Sequence, residues 1–236
     1  MSLTTPAAPP TAARRDPRQV LAWAAESFGD DVVLASALGD ASLVVLDVAH
    51  ELGLDLPVVF LDTGLHFPET LQHLARVERH FGITIDRVEP PRTVQEQERD
   101  EGAALWQRDP DRCCALRKVG PLDAALEGRR AWISGLLRSG RGPRAETSEI
   151  EWDVARRMVK INPLASWTRT DVVARLVERG VPRNPLRDQG YASVGCAPCT
   201  HPASTDDERS GRWVGFAKTE CGLHAGPALR PAEVTP

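Results

Sequence analysis

Apolar residues recur along this chain in two alternating rhythms. Residues 17–28 place Val20, Leu21, Trp23, Ala24 and Phe28 on one side of a short helix that Gly29 ends. Residues 31–38 (DVVLASAL) form instead an unbroken, β-branched apolar run, which predicts a buried strand. A turn of small residues follows, then an apolar helix over residues 42–51. The unit repeats: a strand over 56–61 (LPVVFL), a helix over 66–81 with Leu71, Leu74, Val77 and Phe81 in one stripe, and a strand over 83–88. Residues 92–106 are charged and predict a solvated helix, and the next helix carries Cys113 and Cys114 at its start. A fourth strand is expected over 131–137 and two short strands over 150–161. A helix over 168–179, capped by Thr168 or Thr170, turns Val172, Val173, Leu176 and Val177 inward. Such alternation argues for an α/β fold with a doubly wound, mainly parallel sheet.

Polar residues at the carboxyl ends of such strands sit where open α/β sheets bind ligands. The turn at residues 36–42 (SALGDAS), with Ser36 and Gly39, offers backbone N–H groups to an anion at a helix N-terminus. It lacks the lysine of a GxxxxGK[ST] loop. The second strand ends in Asp62-Thr63-Gly64. After the fourth strand a loop carries Arg138, Arg141 and Arg144, which suits either phosphate or sulfate contacts or a plain solvated loop.

Composition narrows the picture. A chain of 236 residues fits one α/β domain with a cysteine-bearing extension. Residues 1–16 read as a disordered tail, 17–205 as the main domain and 206–236 as a mobile C-terminal tail. With 29 basic and 33 acidic side chains the net charge is −4, which leaves no electrostatic footprint for nucleic acid. No apolar run is long enough to span a bilayer and the N-terminus has no signal-peptide core, so a cytoplasmic location is expected. Lysine occurs only at Lys118, Lys160 and Lys218, and two of the three lie in cysteine-bearing motifs.

Five cysteines exclude a closed disulfide framework. Four form two close pairs, Cys113-Cys114 and Cys196-x-x-Cys199. Four thiolates suit zinc or an iron–sulfur cluster. Adjacent cysteines make a poor zinc knuckle, whereas a cubane presents a separate iron to each thiolate. A CxxC dithiol is a third reading. Cys221 stands apart near Arg209, Arg212, Lys218 and His224. Nearby cations raise a thiol's thiolate fraction, so it reads as a nucleophile rather than a surface cysteine.

From about residue 28 to residue 224 the chain resembles the cluster-bearing adenylyl-sulfate (APS) reductases of the assimilatory APS/PAPS reductase family. The resemblance is carried by CCALRK (113–118), GCAPCT (195–200) and KTECGLH (218–224), with LDTG (61–64) and ISGL (133–136) similar to the family's nucleotide-binding pieces. It implies an adenine-nucleotide α-hydrolase-like fold and a 4Fe–4S cluster on Cys113, Cys114, Cys196 and Cys199. It implies Cys221 as the nucleophile that takes the sulfonate, with Lys118, Arg209, Arg212 and His224 as catalytic partners. Ser36, Gly39, Leu61, Asp62, Thr63, Gly64, Gly135, Arg138 and Arg144 would bind substrate. Reduced thioredoxin, or glutaredoxin, would release sulfite, and a homo-oligomer is expected. The resemblance makes the cluster electrostatic and structural, acting through Lys118. Departures are SALGDAS in place of the family's Ser/Gly-rich loop, RSGRGPRAE in place of an R-R-D-Q-S-x-x-R-type loop, and a short stretch between Arg212 and Cys221.

Three other readings compete. PAPS is the alternative substrate, although users of PAPS generally lack the cluster cysteines. A pyrophosphatase-loop adenylating or thiolating enzyme predicts an SGGxDS loop, which is absent. A zinc-stapled binding module predicts zinc-type knuckles or a basic surface.

Overall fold

The computed structural model describes residues 16–138, 144–203, 207–224 and 228–229. The expected N-terminal tail and Arg141 therefore lie outside the described residues, Asp16 excepted. The first half alternates strictly: α1 Pro17–Phe28, β1 Val32–Ser36, α2 Asp40–Glu51, β2 Val58–Leu61, α3 Pro68–Phe81 and β3 Asp86–Val88. Asp16 caps α1 by accepting from the Arg18 amide at 3.0 Å, and Gly82, in the left-handed region, ends α3. After the cysteine helices come β4 Ala131–Ile133, β5 Ile150–Asp153, β6 Met158–Ile161, α8 Arg169–Glu178 and β7 Ala228–Leu229.

The sheet runs β3-β2-β1-β4-β6-β5-β7. Its first four neighbouring pairs are parallel, and β5 pairs antiparallel with both β6 and β7. Period-two alternation explains why the parallel strands read as unbroken apolar runs, since both faces are covered. Val32, Leu34, Val58, Phe60, Ala131 and Ile133 join the core built with α1, α2, α3 and α8. Val33, Val59 and Trp132 face the other way, onto Leu122 and Leu126. Each strand is shorter than its apolar run, because chain ends that leave the ladder still bury their side chains. Leu38, Ile85 and Leu136 are examples. The chain crosses to opposite sides after β1 and β4, so the carboxyl ends of these neighbours open a crevice.

Helix details depart from expectation where amphipathicity is weak. The charged stretch is two helices, α4 Val94–Glu101 and α5 Leu105–Arg108, separated by Gly102 and Ala104, both with positive φ. It is not fully solvated, since Gln97 and Leu105 are buried. Cys113 and Cys114 fall in the opening turns of a continuous helical run, at the end of α6 Pro110–Cys114. A π-helical turn over Ala115–Val119 and α7 Gly120–Ala125 continue the run. On α8, Thr168 forms a capping box with Asp171. Val172 and Leu176 are buried as expected, each burial contributing about 1.5–3 kcal/mol. Val177, one helical step of about 100° past Leu176, is 70% exposed. Arg175 clips α8 to α2 through the buried Asp47, with Nε donating at 2.6 Å. Among the described residues no helix is long and apolar enough to cross a membrane.

Candidate active site

The turn after β1 is held by its own side chains. Ser36 Oγ accepts from the Leu38 amide at 3.0 Å and meets Ser42 Oγ at 3.0 Å, and Ser42 Oγ donates to the Gly39 carbonyl at 2.9 Å. Leu38 takes a positive φ of 55° to close this turn. The first bond inside α2 is Leu43 N–H to the Gly39 carbonyl, which leaves the amides of Asp40, Ala41 and Ser42 outside the helix's own ladder. Gly135, just past β4, lies against this helix start. A Cβ there would come within 2.5 Å of the Ser42 nitrogen, so only glycine fits.

Between these strand ends opens a cavity of about 1180 Å³, just above the range that small-ligand sites usually occupy. Its walls include Ser36, Gly39, Leu61, Gly135, Lys118, Arg144, Arg209, Arg212, Cys221 and His224. The C-terminal segment closes it: Arg209 donates to the Thr219 carbonyl at 2.8 Å, and Leu223 packs on the Trp132 side of the sheet. His224 stacks on Trp132 with centroids 5.6 Å apart and planes 7° off parallel. Burial, and then the charges of Lys160, Arg144, Arg156 and Arg209, hold its pKa well below the ordinary histidine range, so the ring is neutral.

Behind the cavity the four remaining cysteines line a second, smaller one with Lys118, Arg117, Arg212 and Trp213. The GCAPC loop is tied there by Ala197 N–H to the Leu65 carbonyl at 2.7 Å and Trp213 N–H to the Cys199 carbonyl at 3.1 Å. Burial raises the pKa of Cys113, and pushes Cys114 up to about 12 and Cys199 up to about 11. Cys196 goes the other way. Burial would raise it, but Lys118, the Thr63 hydroxyl at 3.3 Å and Arg212 together favour its thiolate. Among the described residues no group of His, Cys, Asp or Glu is arranged to hold a single metal ion. The four cysteines, in two pairs, line one shared cavity.

Lys118 and Arg212 line both cavities and so stand between the thiols and the larger space. Lys118 is part-buried between them. Burial works against its ammonium, yet the sulfurs of Cys196, Cys221 and Cys114 outweigh it and raise its pKa. The π turn that carries it is the kind of helical irregularity that recurs at functional sites.

The expected site residues divide. Arg144 reaches the large cavity and Arg138 does not, since its guanidinium is spent on the Thr147 carbonyl at 2.7 Å and on Glu149. Of LDTG only Leu61 lines that cavity. Asp62 turns to Arg87 and accepts the Gly64 amide, while Thr63 points to Cys196. Thr63 therefore supports the thiol loop, and Asp62, Thr63 and Gly64 do not line the larger cavity. Three residues carry roles that the sequence left unassigned. Arg117, 4% exposed, bonds the carbonyls of Thr63 and Arg92 and the Gln97 side chain. Trp213 lies under three cations, Arg212 at 4.4 Å and Arg209 and Lys218 at 5.4 Å. Glu220 accepts a two-pronged bond from Arg144. Only the clustering of basic residues around a tryptophan could have signalled the second in advance.

A helix N-terminus, arginines and one separate thiol around a crevice in a parallel sheet define a nucleotide-binding α/β protein equipped for thiol chemistry on an anionic ligand. The chain belongs to the phosphoadenosine phosphosulfate reductase domain family, which it matches over residues 31–202. It is 47% identical over 207 residues to adenosine 5′-phosphosulfate reductase 1 of Bacillus subtilis, covering 87% of this chain and 89% of that one. It is also 47% identical over 213 residues to phosphoadenosine 5′-phosphosulfate reductase of Gloeobacter violaceus, covering 89% and 88%. The fold matches the crystal structure of a phosphoadenylyl-sulfate reductase from Candida auris in its phosphate complex. That match has a TM-score of 0.71 and 30% identity, over 79% of this chain and 91% of that one.

Proposed function

We propose that this protein reduces adenosine 5′-phosphosulfate to sulfite and AMP in sulfate assimilation. The observation that carries the reading is the convergence of Cys221, Lys118, Arg144, Arg209 and Arg212 on one cavity at the mouth of the β1/β4 crevice. In the first half-reaction the Cys221 thiolate attacks the substrate's sulfur. The bond from sulfur to the phosphate oxygen breaks, AMP leaves with the electron pair, and Cys221 carries an S-sulfonate. In the second, a thiol of reduced thioredoxin or glutaredoxin attacks Cys221 Sγ and sulfite departs. The reductant's second thiol then frees Cys221, so the two electrons come from that dithiol.

This chain's own groups supply the means to accelerate the transfer. Negative charge builds on the leaving phosphate oxygen as the bond lengthens, and fixed cations stabilise it without reorganising. Lys118, Arg209 and Arg212 are assigned that work, with Trp213 holding the two arginines in place. Ser36, Gly39 and the open amides of α2 are assigned the nucleotide phosphate together with Arg144, which lines the same cavity. His224, neutral and stacked, shapes the cavity wall beside Cys221. Cys113, Cys114, Cys196 and Cys199 would hold a 4Fe–4S cluster, which supplies an anionic field and a structural staple behind Lys118.

The test is an intact-mass measurement on anaerobically purified protein mixed with substrate and no reductant. A gain of one sulfonate on Cys221 with adenosine 5′-phosphosulfate, discharged as sulfite by reduced thioredoxin, is the expected result. An adduct formed only with the 3′-phosphorylated substrate would keep the chemistry and change the substrate, as the name of the Gloeobacter relative allows. No adduct with either, on protein that binds AMP, would overturn the reading.

A further inference from the structure

The arginines that face the cavity already hold an anion, and it belongs to the chain. Glu220 places both carboxylate oxygens on Arg144, from Nε at 2.6 Å and Nη2 at 2.9 Å, and Arg209 adds Nη2 at 3.4 Å. The Glu220 side chain is only 15% exposed, and Arg144 and Arg209 are 24% and 23% exposed, so water and salt screen the pairing weakly. All three residues line the nucleotide-sized cavity, and the next residue along is Cys221. Arg209 also grips the backbone of this segment through the Thr219 carbonyl.

A guanidinium fork accepts the two oxygens of a carboxylate, a phosphate or a sulfonate in the same way. Two anions in one fork would repel each other. We propose that Glu220 is an internal stand-in for the anionic end of the ligand: it occupies the Arg144–Arg209 seat when the cavity is empty and is displaced when a nucleotide anion arrives. This rests on the nucleotide reading above. The displaced carboxylate loosens the tie on the backbone that bears Cys221, because neighbouring Cα atoms are only about 3.8 Å apart. Arrival of the anion and release of the reactive segment thereby become one event. Glu220 is a positioning residue in this account, since it competes with the ligand and does not touch the reacting atoms.

The experiment compares AMP, which carries the anion, with adenosine, which lacks it, by calorimetry on the purified protein. Glu220→Gln keeps the shape and removes the charge. The expected result is about tenfold tighter AMP binding, the scale of one charge-assisted hydrogen bond removed from competition, with adenosine affinity unchanged. In an Arg144→Gln background the same substitution is expected to tighten AMP binding far less, because the seat it vacates is gone. Equal AMP affinity in wild type and Glu220→Gln would overturn the stand-in while leaving the nucleotide site intact. Weaker binding of AMP and adenosine alike would show a structural role and also overturn it. Undiminished tightening in the Arg144→Gln background would remove Arg144 from the seat and refute the proposal. Failure of wild type to bind AMP at all would overturn the nucleotide reading and this inference with it.

Discussion

Mild acid should loosen this fold through one histidine. His73, on α3, is fully buried. Burial, then the charge of Arg76, lowers its pKa from 6.5 to about 4, against smaller opposing pulls from the Leu38 carbonyl and Asp40. The ring thus backs the turn that faces the nucleotide-sized cavity. It is neutral in the fold at pH 5, while in the unfolded chain it is mostly protonated. The unfolded state therefore binds more protons between the two pKa values, and stability falls as pH drops through that window and is flat above it. At 1.36 kcal/mol per unit, the 1.5 units from 6.5 to 5 cost about 2 kcal/mol, and the full interval to pH 4 about 3 kcal/mol. The assay is denaturant unfolding of wild type and His73→Leu at pH 7.5, 6 and 5, at matched cofactor content. His66 and His224, whose pKa values are also lowered, titrate in both proteins and cancel in the difference. The carboxylates with lowered pKa, such as Asp62 and Glu51, are likewise common to both proteins and cancel in the difference. Wild type should lose about 2 kcal/mol more than the variant between pH 7.5 and 5. An equal loss in the two proteins would refute the assignment of the acid sensitivity to His73.

Two other perturbations separate chemistry from scaffold. Lys118→Met removes the part-buried cation between the cavities and should slow formation of the Cys221 adduct by about 10²–10³-fold, the usual worth of one preorganised charge. AMP affinity and iron content should stay near wild type, and a rate within a few-fold of wild type in single-turnover mass analysis would contradict its role. Gly135→Ala drives a methyl group into the backbone at the start of α2, and should cost about 1–3 kcal/mol in thermal unfolding together with AMP affinity. Unchanged melting and binding would mean that the two loops separate without cost.

The parts of the molecule legible beforehand were those in which neighbours along the chain decide the outcome. Apolar runs bounded by small residues located the parallel strands, and 3.6-residue stripes located α1, α3 and α8, because backbone periodicity alone sets which side chains can share a face. The thiol pairs and the separate Cys221 were likewise evident from spacing and from resemblance. Where local signals were weak, the reading slipped. The charged stretch broke at Gly102 and Ala104, and the helix that carries Cys113 and Cys114 passes through an unforeseen π turn. The short β7 strand went unseen because two residues carry no period.

What the sequence by itself determined was the class of fold, the order of its elements and the chemical identities of the thiols and cations, since these follow from residue type and short-range geometry. Which cation meets which anion was decided only by tertiary structure. Arg144 faces the cavity while Arg138, six residues earlier, is consumed by Thr147 and Glu149. Thr63 meets Cys196 and Asp62 pairs with Arg87, and Glu220 reaches 76 residues back along the chain to Arg144. A long guanidinium or carboxylate can point to several partners of equal chemistry. Only the packing of distant segments removes all but one of them.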